Sequence, residues 1–189
     1  MRFAGWHHAR GSPARLFFAA FPDGQTRRLI ASTATALALG DSARLVPCEN
    51  YHITLAFVGE VSNAQAASLR AIGPLDVPAF NVRFDTFEHW QRSEVVVLAA
   101  SECPPALHDL QCKLRGELAR HDLASDPKLF RPHVTIARKA VQAPVQQAMS
   151  EFLWPVTAFH LARSVRSDAG SVYTVLDRWS LLDKSVRGE

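Results

Sequence analysis

Two four-residue phrases, His52-Ile53-Thr54-Leu55 and His133-Val134-Thr135-Ile136, carry side chains suited to acid-base chemistry. Successive side chains of a β-strand point to opposite faces. On a strand, His52 and Thr54 share one face while Ile53, Leu55 and Phe57 share the other. His133 and Thr135 stand in the same way opposite Val134 and Ile136. With eight His and eight Thr in 189 residues, chance supplies about a third of one His-x-Thr. Two copies, both interleaved with aliphatic residues, require a cause. If the two strands face each other, two imidazoles and two hydroxyls surround one small anion. That is equipment for acid-base chemistry on a phosphate without a metal.

The elements that must position these groups can be read from pattern and punctuation. The run RLFFAAF at 15–21 reads as a buried strand closed by Pro22-Asp23-Gly24. An Ala/Leu-rich helix is expected over 25–39, with Gly40 as its stop. A turn at 47–50 leads into the first motif strand, 51–58, and Gly59 permits a sharp exit. Ser62 is positioned to cap a helix running to about residue 72, which Gly73-Pro74 ends. Residues 80–87 alternate as one half-buried strand, 90–94 make a connection, and 95–99 form an apolar strand. Pro104-Pro105 opens a helix whose Leu107, Leu110, Leu114 and Leu118 make one apolar stripe. A loop at 125–132 leads to the second motif strand, 134–138. A short helix is expected at 145–152, then closing strands at 156–162 and 172–182 around a turn at 167–170.

The resulting order, β-α-β-α-β twice with one further strand, repeats at offsets near 80, as between His52 and His133 or Ser62 and Gln142. Antiparallel strands and segregated helices indicate the α+β class, in two lobes about a pseudo-two-fold axis with the motif strands across a cleft.

Composition narrows the setting. At 48% hydrophobic and 21% charged residues, the chain can build one domain or two closely packed lobes. The expected division is an N-terminal extension at 1–14, a single bilobal domain at 15–182 and a tail at 183–189. The net charge of +3 is mildly basic, and residues 113–139 hold seven Lys or Arg against three acids, which suits an anionic partner. Cys48, Cys103 and Cys112 have neither an even count nor metal-ligand spacing, so they read as free thiols of a cytoplasmic protein. No apolar run reaches membrane-spanning length, and residues 1–13, with a solvated His7-His8, lack the apolar core of a signal peptide. No carboxylate cluster, His/Cys set or glycine-rich phosphate loop is present, so no metal or cofactor is expected. His89 and His160 have no partner at useful spacing, and His108 and His121 read as helix-surface residues.

At these residues the chain resembles the 2H phosphoesterases, specifically the RNA 2',3'-cyclic phosphodiesterases first named 2'-5' RNA ligases. The resemblance covers Arg15 to about Leu182. It rests on Arg15-Leu16-Phe17-Phe18-Ala19, on the segment from Glu49 to Glu60, on Phe130-Arg131-Pro132-His133-Val134-Thr135-Ile136-Ala137-Arg138, and on the closing Tyr173 and Arg178-Trp179. It implies a bilobal α+β fold and opening of a 2',3'-cyclic phosphate on RNA ends or small nucleotides. It further implies His52 as proton donor to the leaving 3'-oxygen and His133 as acceptor from water, with Thr54 and Thr135 binding the phosphate. Arg131, two residues before His133, is a further candidate phosphate clamp. A monomer is expected.

Three rivals share these residues. The reverse reaction would join a cyclic-phosphate end to a 5'-hydroxyl without ATP. Another 2'-5' or cyclic nucleotide could be the substrate. A non-catalytic RNA-binding module could stack bases on Phe17, Phe18, Trp90 or Phe130, but binding alone has no need of two titratable imidazoles.

Overall fold

Leu16-Phe17-Phe18-Ala19-Ala20 has no polar side to offer solvent, and it becomes β1 (Arg15–Ala20), an inner strand buried on both faces. The computed structural model describes residues 15–123, 130–144, 149–167 and 170–183. The expected extension at 1–14, most of the tail, and parts of the expected loop, helix and turn near 125, 145 and 168 lie outside the described residues. In the first sheet β1 lies between β3 (Ile53–Gly59) and β9 (Ala158–Ser167), with β10 (Gly170–Ser180) at the edge. The second sheet runs β2 (Arg44–Leu45), β7 (His133–Arg138), β6 (Val95–Ala99), β5 (Thr86–Trp90). A small pair joins β4 (Phe80–Phe84) to β8 (Phe152–Val156), and every pairing of these strands is antiparallel. The fold class is α+β, as the sequence pattern indicated.

Among the described residues three α-helices accompany the sheets. In α1 (Gly24–Thr35) the Asp23 carboxylate accepts the Thr26 N–H at 2.7 Å, capping the first turn. The helix stops short of Gly40. Its last turns carry Ser32, Thr33 and Thr35, whose hydroxyls bond back to helix carbonyls and loosen their hold on the next turn. In α2 (Asn63–Arg70) Ser62 and Gln65 form a reciprocal capping box. In α3 (Pro105–Arg120) all four stripe leucines are fully buried.

Two expected elements are corrected. The single strand at 80–87 is broken at Asp85, whose carboxylate takes the Ser101 N–H at 3.0 Å and hydroxyl at 2.5 Å. Its two parts then serve different sheets, β4 pairing with β8 and β5 with β6. The helix expected at 145–152 is absent where it is described: Met149 to Glu151 are irregular and Phe152 begins β8. There Trp154 is fully buried, and Pro155 is tolerated because a two-stranded pair has open edges.

The two halves of the chain do not each build their own lobe. β2, from the first half, pairs with β7, while β9 and β10, from the second, complete the first sheet. Helix α3 packs on β3, and α1 touches β7. Ile53 and Leu55 therefore share one hydrophobic core with Val134, Ile136 and the α3 leucines. Cys48 and Cys103 are half-buried free thiols, and Cys112 is exposed. No helix among the described residues is long and apolar enough to cross a membrane.

Candidate active site

Strict alternation cannot describe either motif strand, because each carries a bulge. Phe18 pairs with Ala56 and Ala19 with Thr54, which leaves Leu55 as an extra residue. Val96 pairs with Ala137 and Val97 with Thr135, which leaves Ile136 extra in the same way. A bulge shifts the phase of a strand and re-aims the side chains beyond it. Leu55 and Ala56 consequently both enter the core, as do Ile136 and Ala137. Phe57, which alternation assigned to the apolar face, is instead 47% exposed, and Arg138 at the matching place is exposed too. His52, Thr54 and Phe57 thus occupy one side of β3, and His133, Thr135 and Arg138 one side of β7.

The imidazoles are held by the same device. Nδ1 of His52 lies 2.7 Å from the Asn50 carbonyl, and Nδ1 of His133 lies 2.7 Å from the Arg131 carbonyl. A carbonyl only accepts, so each Nδ1 carries the proton and each Nε2 is left for chemistry. In both cases the partner stands two residues before the histidine, and its side chain is anchored. The Asn50 amide donates to the Ser171 carbonyl at 2.8 Å, and the Arg131 guanidinium binds Glu88. The Thr54 and Thr135 side chains are half-buried, and neither hydroxyl has a hydrogen bond to another described residue.

Burial dominates the electrostatics. It pushes His52 down to about 4, against the Asn50 carbonyl, with the charges of His133 and Arg138 lowering it further. Burial lowers His133 as well, opposed by the Arg131 carbonyl and the Glu88 carboxylate and reinforced by the Arg131 charge. The charge of His133 bears on His52, and β3 meets β7, which brings the two imidazoles to one site.

Sequence reasoning overlooked Arg138. A signal was present: alternation placed this arginine on the apolar face of β7 and Ala137 on the polar one, an inversion that betrays a bulge. The Arg131 guanidinium, expected to face a phosphate, is engaged by Glu88. His89 is structural, its Nε2 bonded to the Ala140 carbonyl at 2.6 Å. Among the described residues no group of three or more His, Cys, Asp or Glu is gathered as a metal site requires.

Comparison with known proteins agrees with this geometry. The Escherichia coli RNA 2',3'-cyclic phosphodiesterase is 34% identical over 172 residues, 89% of this chain and 97% of that protein. The Thermus thermophilus enzyme of the same name is 30% identical over 179 residues, 88% of this chain and 90% of its own. The crystal structure of E. coli LigT complexed with 3'-AMP superposes with a TM-score of 0.80 at 32% identity, covering 90% of this chain and 99% of that one. Residues 16–168 match the profile of the 2'-5' RNA ligase superfamily, and with the paired motifs in place the chain belongs to that family.

Proposed function

We propose that this protein hydrolyses the 2',3'-cyclic phosphate ends of RNA, or small cyclic nucleotides, to 2'-phosphomonoesters by two-histidine acid-base catalysis that needs no metal. The observation that carries this reading is the pair of His-x-Thr strands, bulged at equivalent residues and in contact with each other, with the charge of His133 bearing on His52. The activity named for the E. coli and T. thermophilus relatives supports the substrate class. In the reaction His133 Nε2 takes a proton from water as the water oxygen bonds to phosphorus. The bond from phosphorus to the 3'-oxygen breaks, and His52 supplies the proton that oxygen needs. Thr54 and Thr135 donate to the non-bridging oxygens of the five-coordinate transition state, and Arg138 adds positive charge beside them. Arg131 acts through its carbonyl on His133, its guanidinium contributing charge from the rim. The unit is the bilobal domain at 15–182, and it acts as a monomer because one chain supplies both motifs. The unpaired thiols fit a reducing, cytoplasmic setting.

The electrostatic asymmetry supports these roles. A buried imidazole that loses its proton near 4 is a strong acid once an anionic phosphate has helped it gain one. His133, with Glu88 beside it, is the better base. Both groups are lowered from the ordinary 6.5, so the bell of kcat/KM against pH should peak on the acid side of 6.5. Activity falls below the peak as the acceptor gains a proton, and above it as the donor loses one. The limbs belong to the coupled pair. A maximum above pH 7.5 would rule out this picture.

Phosphorus NMR of the products from a nucleoside 2',3'-cyclic phosphate and from RNA bearing that end tests the reaction itself. The expected product is the 2'-monoester, formed at an unchanged rate in EDTA. Loss of activity in EDTA and its return with a divalent ion would refute the metal-free mechanism. Adding RNA with a 5'-hydroxyl to the same incubation reveals any joining, which would use the same groups in reverse.

A further inference from the structure

The two imidazoles are oriented alike but surrounded differently. His52 sits among Phe17, Phe21 and Tyr173, with ring centroids 5.1, 5.7 and 5.1 Å away. His133 lies against one indole, Trp90, at 4.5 Å. The Trp90 Nε1–H donates to Oε2 of Glu88 at 2.7 Å, and the other oxygen of the same carboxylate accepts from Arg131. Arg131 in turn presents the carbonyl that holds His133 Nδ1. Glu88 and Trp90 are alternate residues of β5 and share a face, so the carboxylate can reach the indole beside it. One side chain therefore secures both groups that touch the His133 ring.

We propose that Glu88 is a positioning residue for His133, fixing the Trp90 ring and the Arg131 carbonyl that set the imidazole's plane and tautomer. Its negative charge also offsets the positive charge that appears when His133 takes a proton from water. This deepens the reading of His133 as the proton acceptor and rests on it. Among the described residues, the charged or titratable groups facing His133 are Glu88 from β5, Arg131 on its own approach and His52 from β3, while β6 places Ala99 opposite. A surface ion pair between Glu88 and Arg131 would contribute little by itself. The half-buried end of the arrangement, indole bonded to carboxylate and packed on the imidazole, is what separates it from such a pair. On the His52 side the matching anchor, Asn50 to Ser171, carries no charge. The carboxylate thus adds a charge at His133 that has no counterpart in the anchor of His52.

The test uses the full chain with Glu88→Gln and Glu88→Asp. Without substrate, NMR follows the imidazole carbon-bound protons of His52 and His133 against pH, together with the Overhauser contact between Trp90 and His133. In Glu88→Gln the His133 titration should move to lower pH and the Trp90 contact should weaken, while His52 changes little. Glu88→Asp, which keeps the charge, should restore most of the titration. With a nucleoside 2',3'-cyclic phosphate, Glu88→Gln should lower kcat roughly tenfold or more, the scale of a misplaced catalytic group, with KM nearly unchanged. The proposal is overturned if Glu88→Gln leaves either the His133 titration or kcat at the wild-type value. It is equally overturned if both variants lose activity in step with their melting temperature. If no cyclic phosphate is hydrolysed by the wild type, the functional reading fails alone. Glu88's hold on His133 is then decided by the substrate-free titration and ring contact.

Discussion

His52→Ala and His133→Ala should each lower kcat by roughly 10²- to 10⁴-fold, the usual contribution of a positioned general acid or base. The two losses should respond differently to a substrate with sulfur in place of the bridging 3'-oxygen. A 3'-thiolate leaves readily without a proton, so the donor becomes dispensable while the attacking water still needs a base. If His52 is the donor, the 3'-thio substrate rescues much of the loss in His52→Ala and little of it in His133→Ala. Rescue of His133→Ala instead would reverse the roles. The motifs alone are symmetric in this respect, both imidazoles being held through Nδ1 by a carbonyl at 2.7 Å. Their surroundings are not symmetric. Burial around His52 disfavours the imidazolium, whereas Glu88 offsets part of the same effect at His133, an asymmetry that favours His52 as donor and His133 as acceptor in the proposed reaction.

Thr54→Val and Thr135→Val should each slow turnover by roughly ten- to a thousandfold, the range seen when one donor to a developing oxyanion is removed. Valine keeps the shape and removes only the hydroxyl. Since neither hydroxyl bonds another described residue, its loss strands no buried partner among the described residues, and the melting temperature should stay within a few degrees of wild type. A large drop in melting temperature with near-normal turnover would show that these threonines serve the fold. The double variant should lose less than the product of the single losses if both hydroxyls hold the same phosphoryl group.

Much of this was legible along the chain because it depends on neighbouring residues. The period-two phrases at 52–55 and 133–136, the Ser62 cap, the Pro104-Pro105 helix start and the leucine stripe of α3 are local patterns, and each appears where its chemistry requires. The α+β class and the expected repeat at offsets near 80 rest on them. Local pattern misled where an interaction from far along the chain prevailed. Asp85, tied to Ser101, divides what reads as one strand, and pairing with β4 makes Phe152 to Val156 extended.

What the amino-acid order determined by itself was the candidate catalytic inventory: two histidines and two threonines, each pair on one side of a strand, with a core-forming residue between them. Only the tertiary structure decided how these are aimed and what charge and burial surround each imidazole. The bulges at Leu55 and Ile136 arise from pairing with β1 and β6, and the second turns Arg138 out of the core, where its charge bears on His52. Glu88 lies 45 positions before His133, and nothing local connects them. They meet because β5, β6 and β7 are neighbours in one sheet. Proton affinity depends on burial and on charge through space, and both are properties of distance, which the order of residues along the chain does not contain.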